Sequence, residues 1–256
     1  NHKTEWILKR NTNWDSTHRI NNMIEDSKQV LLFDIDGTLL DPAGEGRICL
    51  ERALRDVYGC TGPIDSINMA GMTDWQIITD LMTAAGLDLE EIEAQRPNAF
   101  KAYTQHVRMA TPSLNMHRLP GVGKLLSHLK NDSTFLLGLV TGNVREAVPY
   151  KLFAVGIDPK IFTVGAFGSE HHDRNTLPAL ALYRLSQTFN QPIAKESVLI
   201  IGDTPLDIAC ARHNGVKVLC VATGRYDFET LSAYQPDYLL PDLTDTNAVM
   251  HIFKSY

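Results

Sequence analysis

The sequence predicts an α/β protein, a doubly wound parallel sheet with an α-helical unit inserted after its first strand. Three observations predict it. Short, nearly continuous apolar runs stop abruptly at Asp-Gly, Thr-Gly or Gly-Asp turns, and runs without polar alternation mark strands buried on both faces. Between these runs lie stretches with apolar residues three and four positions apart, and strands alternating with helices indicate a sheet covered on both sides. Finally, the interval between the first two strong runs, from Asp36 to Phe135, far exceeds the dozen or so residues that a parallel crossover needs.

Residues 1–27 are polar and Asn-rich, contain Trp6 and Trp14, and read as an N-terminal extension, with Trp6, Ile7 and Leu8 either packed as a short element or part of an arm. The first strand is Val30 to Phe33 with Ile35, halted by Asp36-Gly37-Thr38. Three helices follow. Arg47 to Tyr58 carries Ile48, Leu50, Leu54 and Val57, and Trp75 to Ala85 carries Ile77, Ile78, Leu81 and Met82. Leu89 to Val107 carries Ile92, Phe100, Tyr103 and Val107, with Pro97 as an expected break, because proline removes a helical N–H. The expected organisation is therefore a core of residues 28–44 and 116–256, interrupted by a helical unit at 45–115.

Val122 to Lys130 is the next helix, with Val122, Leu125, Leu126 and Leu129 on one face. Strands follow at Phe135 to Val140, before Thr141-Gly142-Asn143, and more weakly at Ile161 to Val164. A helix at Leu177 to Phe189 precedes the strand Val198 to Ile201, which ends at Gly202-Asp203-Thr204-Pro205. Val216 to Val221, and more weakly Tyr238 to Leu240, complete the sheet. In such sheets ligands bind outside the carboxyl ends of the strands. Asp34, Asp36, Thr141, Asp203 and Asp207 are thus expected to converge.

Composition sets the outer bounds. With 24 Lys plus Arg against 30 Asp plus Glu, the 256-residue chain carries a formal charge of −6, which argues against the basic surface that nucleic-acid binding requires. A pocket's local field can oppose the net charge, so small anions stay admissible. Four cysteines without a CxxC pair suggest reduced thiols rather than a disulfide framework. The apolar runs fall far short of the roughly 20 residues of a membrane span, and no signal-like apolar core opens the chain. The expectation is a cytoplasmic protein without a membrane or nucleic-acid partner.

Asp34 and Asp36 put two carboxylates near one strand end. An unpaired ionised carboxylate in a buried run is costly, and a cation would relieve it; oxygen donors alone suit Mg²⁺. The competing reading is an ordinary Asp-Gly turn. Thr141, Gly142 and Asn143 offer a hydroxyl and backbone N–H groups as a small anion cradle, or simply a helix cap. Asp203 and Asp207 can face the same place, or serve as a cap and a first-turn acid favoured by the helix dipole.

Together, in this order, the three motifs resemble the haloacid dehalogenase-like hydrolase superfamily from about Val30 to Leu243. Asp34-Ile35-Asp36-Gly37-Thr38 resembles its first motif, the Thr141 region its second, and Gly202 to Asp207 its fourth. The helical insertion is similar to the cap of the phosphoglycolate phosphatase-like branch, and Gly71-Met72-Thr73-Asp74 to that cap's substrate loop. The resemblance implies a Rossmann-like core. The third motif departs from the family's usual Lys: Gly168 to Pro178 offers Arg174 instead, just before a helical pattern. Arg supplies a permanent charge and a fork that matches phosphate oxygens. If Arg174 were a surface residue, the role would fall to Lys151, Lys160 or a cap residue.

What the resemblance implies is a Mg²⁺-dependent phosphatase acting on a small phosphorylated metabolite, phosphoglycolate by analogy, as a monomer or homodimer. Asp34 would be the nucleophile, forming an aspartyl-phosphate, and Asp36 the general acid and then base. Mg²⁺ would sit on Asp34, the Asp36 backbone carbonyl and Asp203, with Asp207 behind them orienting the metal's water shell or Arg174. Thr141, Gly142, Asn143 and Arg174 would hold the transferring group, while Arg47 and Thr73 would reach the substrate from the cap. Dehalogenating members lack the second Asp, so Asp36 favours phosphoryl transfer. His171 and His172 read better as surface residues than as ligands of a hard ion, and Trp75 as core. The alternatives are a phosphomutase of the β-phosphoglucomutase type and, from another class, a phospho-accepting switch or degenerate binding protein.

Overall fold

The computed structural model describes residues 28–113 and 115–256. The expected extension at 1–27 lies outside the described residues. Strand β1 (Gln29–Phe33) is followed by β2 (Leu40–Asp41), α1 (Glu45–Tyr58), α2 (Asp74–Ala84), α3 (Leu89–Ala110) and β3 (His117–Arg118). Next come α4 (Val122–Leu129), β4 (Phe135–Thr141), α5 (Val148–Ala154), β5 (Val164–Phe167), α6 (Leu177–Phe189) and β6 (Val198–Gly202). The chain closes with α7 (Pro205–Asn214), β7 (Lys217–Val221), α8 (Phe228–Ala233), β8 (Tyr238–Leu240) and α9 (Thr246–Phe253).

Six strands form one parallel sheet in the order β5-β4-β1-β6-β7-β8. β1 lies between β4 and β6, with Leu32 opposite both Gly138 and Ile200. The chain winds outward from β1 on one side, then returns to its other flank, so the order reverses at β1, where such sheets bind ligands. Successive β1 residues feed opposite layers. Leu31 and Phe33 join a core with residues of α4, α5 and α9, whereas Val30 and Leu32 join one with residues of α6 and α7. Burial on both faces explains the unbroken apolar runs.

α1, α2 and α3 bury a third apolar cluster of their own, including Leu50, Leu54, Ile78, Met82, Tyr103 and Val107, and Val144 and Ala147 join it from the sheet side. A two-residue antiparallel ribbon pins the legs of this insertion, with Leu40 opposite Arg118 and Asp41 opposite His117. Pro97 does not break α3. It lies on the exposed face, where the carbonyl that loses its donor can meet water, while Ile92, Ala99, Tyr103 and Val107 anchor the opposite face. The fifth strand also differs from expectation: Pro159–Ile161 forms a 3₁₀ turn, and the ladder runs over Val164–Phe167. Pro159 cannot donate to a ladder. All four cysteines are free, and among the described residues no helix is long and apolar enough to cross a membrane.

Candidate active site

Asp34 follows directly on β1. Its N–H donates to the Ile201 carbonyl of β6 at 2.8 Å, and its own Oδ1 accepts from the Ile35 N–H at 2.7 Å. Asp203 and Asp207 close in from the end of β6 and the first turn of α7, and one carboxylate oxygen from each of the three lies within 4.8 Å of the others. All three side chains are buried. Gly37 lets them approach: its φ of +83° suits glycine, and a Cβ there would overlap the Asp203 carboxylate. Thr38 donates its hydroxyl to Asp203 Oδ1 at 3.0 Å.

Arg174 enters this acidic group from the turn just before α6. Its Nη2 lies 3.0 Å from Asp34 Oδ2 and pairs closely with Asp207 Oδ1, while Nη1 donates to the Gly71 carbonyl at 3.0 Å. It is not a surface arginine, being only 5% exposed. Asp207 is fully engaged, because its Oδ2 accepts from the Thr204 N–H at 3.0 Å, the Thr204 hydroxyl at 2.7 Å and the Asp203 N–H at 3.2 Å. Both the α7 capping box and the Arg174 head therefore hang on this one carboxylate.

The charges do not balance within the group. Burial pushes the Asp34 carboxyl up to about 6, with Arg174 pulling it down and Asp207 and Asp36 adding to the rise. Burial, then the Asp207 and Asp34 charges, raise Asp203 well above the carboxylate range. Burial opposes the charge on Arg174 as well, but Asp207 and Asp34 outweigh it and hold the guanidinium well above its ordinary value. Three buried acids facing one cation form an oxygen-only donor set short of positive charge, which fits a hard divalent ion.

Asp36 contributes no carboxylate to this group. Its Oδ2 accepts from Asn143 Nδ2 at 3.0 Å and pairs closely with Lys151 Nζ, whose side chain is 1% exposed. Lys151 also donates to Asn143 Oδ1 at 2.5 Å. Sequence reasoning offered Lys151 only as a substitute for Arg174; the overlooked signal was a lysine on the apolar face of a helix, beside Val148 and Leu152. Lys160, the other substitute, is exposed.

Of the second motif, Gly142 and Asn143 line the cavity over the site, whereas Thr141 is buried outside its walls. The Thr141 hydroxyl accepts from Asn143 Nδ2 at 2.8 Å, so it braces Asn143. The cavity, about 450 Å³, also takes its walls from Asp34, Asp36, Asp203, Arg174 and Lys151 below and from Arg47, Met69, Asp74 and Tyr103 of the insertion. Arg47 is one of these wall residues, and Asp65 Oδ1 at 2.6 Å and the Ile64 carbonyl at 2.5 Å occupy its Nη2. Thr73 is not a wall residue. Its hydroxyl caps α2 by accepting from the Gln76 N–H at 3.1 Å and donates to the His172 carbonyl at 2.7 Å.

Asp74, the next residue, ties insertion to core. Its N–H donates to the Gly142 carbonyl at 2.7 Å, and its Oδ2 accepts from the Val144 N–H at 2.7 Å. Burial pushes its carboxyl up to about 7, against the pull of Lys151 and that N–H and with a further push from Asp36. Trp75 stands clear of the cavity: Arg96 lies 3.4 Å over its ring, and its indole N–H donates to Glu93 at 3.1 Å. His171 is held by Asp173, and neither His171 nor His172 lines the cavity.

The residues brought together span most of the chain, and a family model for haloacid dehalogenase-like hydrolases matches residues 31–221. The chain belongs to this family. As a haloacid dehalogenase-like hydrolase it is similar to a phosphoglycolate phosphatase of Synechococcus elongatus, at 28% identity over 85% of this chain and 94% of that protein. It is also similar to the pyrophosphatase PpaX of Bacillus velezensis, at 26% identity over 90% of this chain and 98% of that one. Among solved structures, a hydrolase from Pseudomonas syringae shares the fold with a TM-score of 0.65 at 20% identity, covering 89% of this chain and all of that one. CbbY from Rhodobacter sphaeroides, solved with phosphate, has a TM-score of 0.58 at 16% identity over 85% of this chain and 96% of its own. The expected α/β core and hydrolase class are those of this family.

Proposed function

We propose that this hydrolase cleaves a small organic phosphate monoester through an aspartyl-phosphate on Asp34, with Mg²⁺ as its cofactor. One observation carries the reading: Asp34 is buried at the floor of the cavity, 3.0 Å from Arg174 and within an acidic group open to a divalent ion. Phosphatase names among the relatives, phosphoglycolate phosphatase and pyrophosphatase, support it.

Asp34, Asp203 and the Asp36 backbone carbonyl would hold the ion, with Asp207 fixing Arg174 and the turn behind it. When bound, Mg²⁺ supplies the positive charge that lets a carboxylate approach a phosphate dianion. Asp34 attacks phosphorus, and its new O–P bond forms as the bond to the leaving oxygen breaks. Asp36 gives that oxygen a proton, then takes one from the water that attacks the phosphoryl-aspartate, releasing phosphate and restoring Asp34. The Arg174 head, together with backbone N–H groups at Gly142 and Asn143, would stabilise charge on the equatorial oxygens. Arg47 and Arg225, on the cavity walls, favour an anionic substrate.

The test is hydrolysis of p-nitrophenyl phosphate with and without Mg²⁺, followed by a panel that includes phosphoglycolate and inorganic pyrophosphate. Wild type should turn over only with the metal. Acid-quenched chain should carry labelled phosphate, and Asp34→Asn should lose both properties. No turnover across the panel, or full activity in Asp34→Asn, would sink the reading.

A further inference from the structure

The molecule places two buried cations at the site, on different carboxylates. Arg174 serves Asp34 and Asp207, whereas Lys151 serves Asp36. A buried ammonium is costly unless it is paired, and nothing in the packing of α5 calls for one, since its buried neighbours Val148, Pro149 and Leu152 are apolar. We infer that Lys151, acting with Asn143, is a positioning residue that fixes the Asp36 carboxylate for proton transfer. The inference rests on the acid–base role proposed for Asp36.

The geometry is a closed triangle of three side chains from three segments. Lys151 Nζ reaches Asp36 Oδ2 and Asn143 Oδ1, and Asn143 Nδ2 returns to the same Asp36 Oδ2 at 3.0 Å. Asn143 is itself steadied by the Thr141 hydroxyl at 2.8 Å. Two donors therefore converge on one carboxylate oxygen. The other, Oδ1, is buried and has no hydrogen-bond partner among the described residues. Asp36 nonetheless lines the cavity, with 33% of its side chain exposed. With Oδ2 tied, the carboxylate cannot rotate freely. The carboxylate is thus held in one orientation for the proton transfers proposed for it. The insertion closes over the pair: a Cβ added at Gly46 would lie 3.5 Å from the Tyr103 hydroxyl and 3.9 Å from Lys151 Nζ.

A positioning role predicts a loss that depends on how much the leaving group needs a proton. Phenyl phosphate needs one, and p-nitrophenyl phosphate, with its stabilised phenolate, needs far less. In Lys151→Met, kcat/KM for phenyl phosphate should fall about 100-fold, the lower end of general acid catalysis, and that for p-nitrophenyl phosphate less than about tenfold. Equal losses on both substrates, or none, would overturn the inference. Asp36→Asn is the control for the underlying reading: if it fails to discriminate between the two, the acid–base role itself fails. If it discriminates and Lys151→Met does not, only the positioning role fails. The double variant Asp36→Asn/Lys151→Met removes both charges together, leaving no unpaired buried ion. Its activity should match Asp36→Asn alone, because Lys151 acts through Asp36. A further loss beyond about threefold contradicts that route, and the double variant decides alone if the single Lys151→Met chain melts below the assay temperature.

Discussion

Replacing Arg174 by Met removes the only side-chain cation that the described residues place on Asp34 and Asp207, and Met retains much of the stem's volume. Arg174 and Asp34 are 5% and 6% exposed at the side chain, and Asp207 is fully buried. Removing one partner of a buried pair costs about 3–5 kcal/mol, because the remaining charge is left uncompensated. Here two acids lose the same cation, with Asp203 close by, so the upper part of that range applies in the absence of metal. For a chain of this size each kcal/mol moves the melting temperature by about 2–4 °C, so about 4–5 kcal/mol gives a drop of about 8–20 °C. Circular-dichroism melting in EDTA measures it. Saturating Mg²⁺ should recover part of the loss, since the ion supplies charge to the same carboxylates. Activity should not recover. The transferring group would lack its fork of donors, and kcat/KM on p-nitrophenyl phosphate should fall about 1,000-fold or more. Arg174→Lys should fall between, because an ammonium cannot serve Asp34 and Asp207 as a planar fork does. A melting temperature within about 3 °C of wild type, with activity retained to within about tenfold, would refute the reasoning.

Mg²⁺ at about 100 times its Kd should stabilise wild type by about 2.7 kcal/mol, with a smaller gain below about pH 6, where protons compete at Asp34; Asp203→Asn should abolish most of the gain in a thermal-shift titration. Asp74 should make stability fall as pH rises. Its carboxyl sits at about 7 in the fold against 3.8 ordinarily, so its favourable contribution is complete below the unfolded value and is lost as pH passes through about 7. Asp74→Asn keeps an acceptor for the Val144 N–H and should flatten the melting-temperature curve between pH 5 and 8 (approximate bounds); parallel curves would contradict the assignment. Gly37→Ala should cost activity and stability together, since it adds strain at φ +83° and pushes the Asp203 carboxylate aside. Its Mg²⁺-dependent thermal shift should shrink, and an unchanged shift would exclude that displacement.

Much of the fold was legible because local patterning and tertiary burial agree. Val30 to Phe33 and Val198 to Ile201 are unbroken apolar runs because layers cover both faces of β1 and β6. Less was legible where the pattern was short or shared between states. The β2–β3 ribbon has two residues per strand, too few for a period to show. β5 was expected several residues early because Ile161 and Phe162 are apolar for packing reasons, not as ladder residues. Pro97 read as a break because sequence does not reveal which face of α3 meets water. At the site, the acids stood out as carboxylates at strand ends, whereas the signal for Lys151 was weaker, a single lysine on the apolar face of a seven-residue helix.

The sequence by itself determined the sheet, the helical insertion and the set of acids that meet where the sheet order reverses, because these follow from hydrophobic period and from motif order along one chain. The tertiary structure decided how charges are shared among them. Arg174 reaches Asp207 from 33 positions away, and Lys151 meets Asp36 across 115. Thr73 and Thr141 became braces, while Asp74 became a half-buried tie between insertion and core. Pairing of this kind depends on which side chains share a low-dielectric interior and which lie in water. That is a property of three-dimensional burial, and no one-dimensional spacing encodes it.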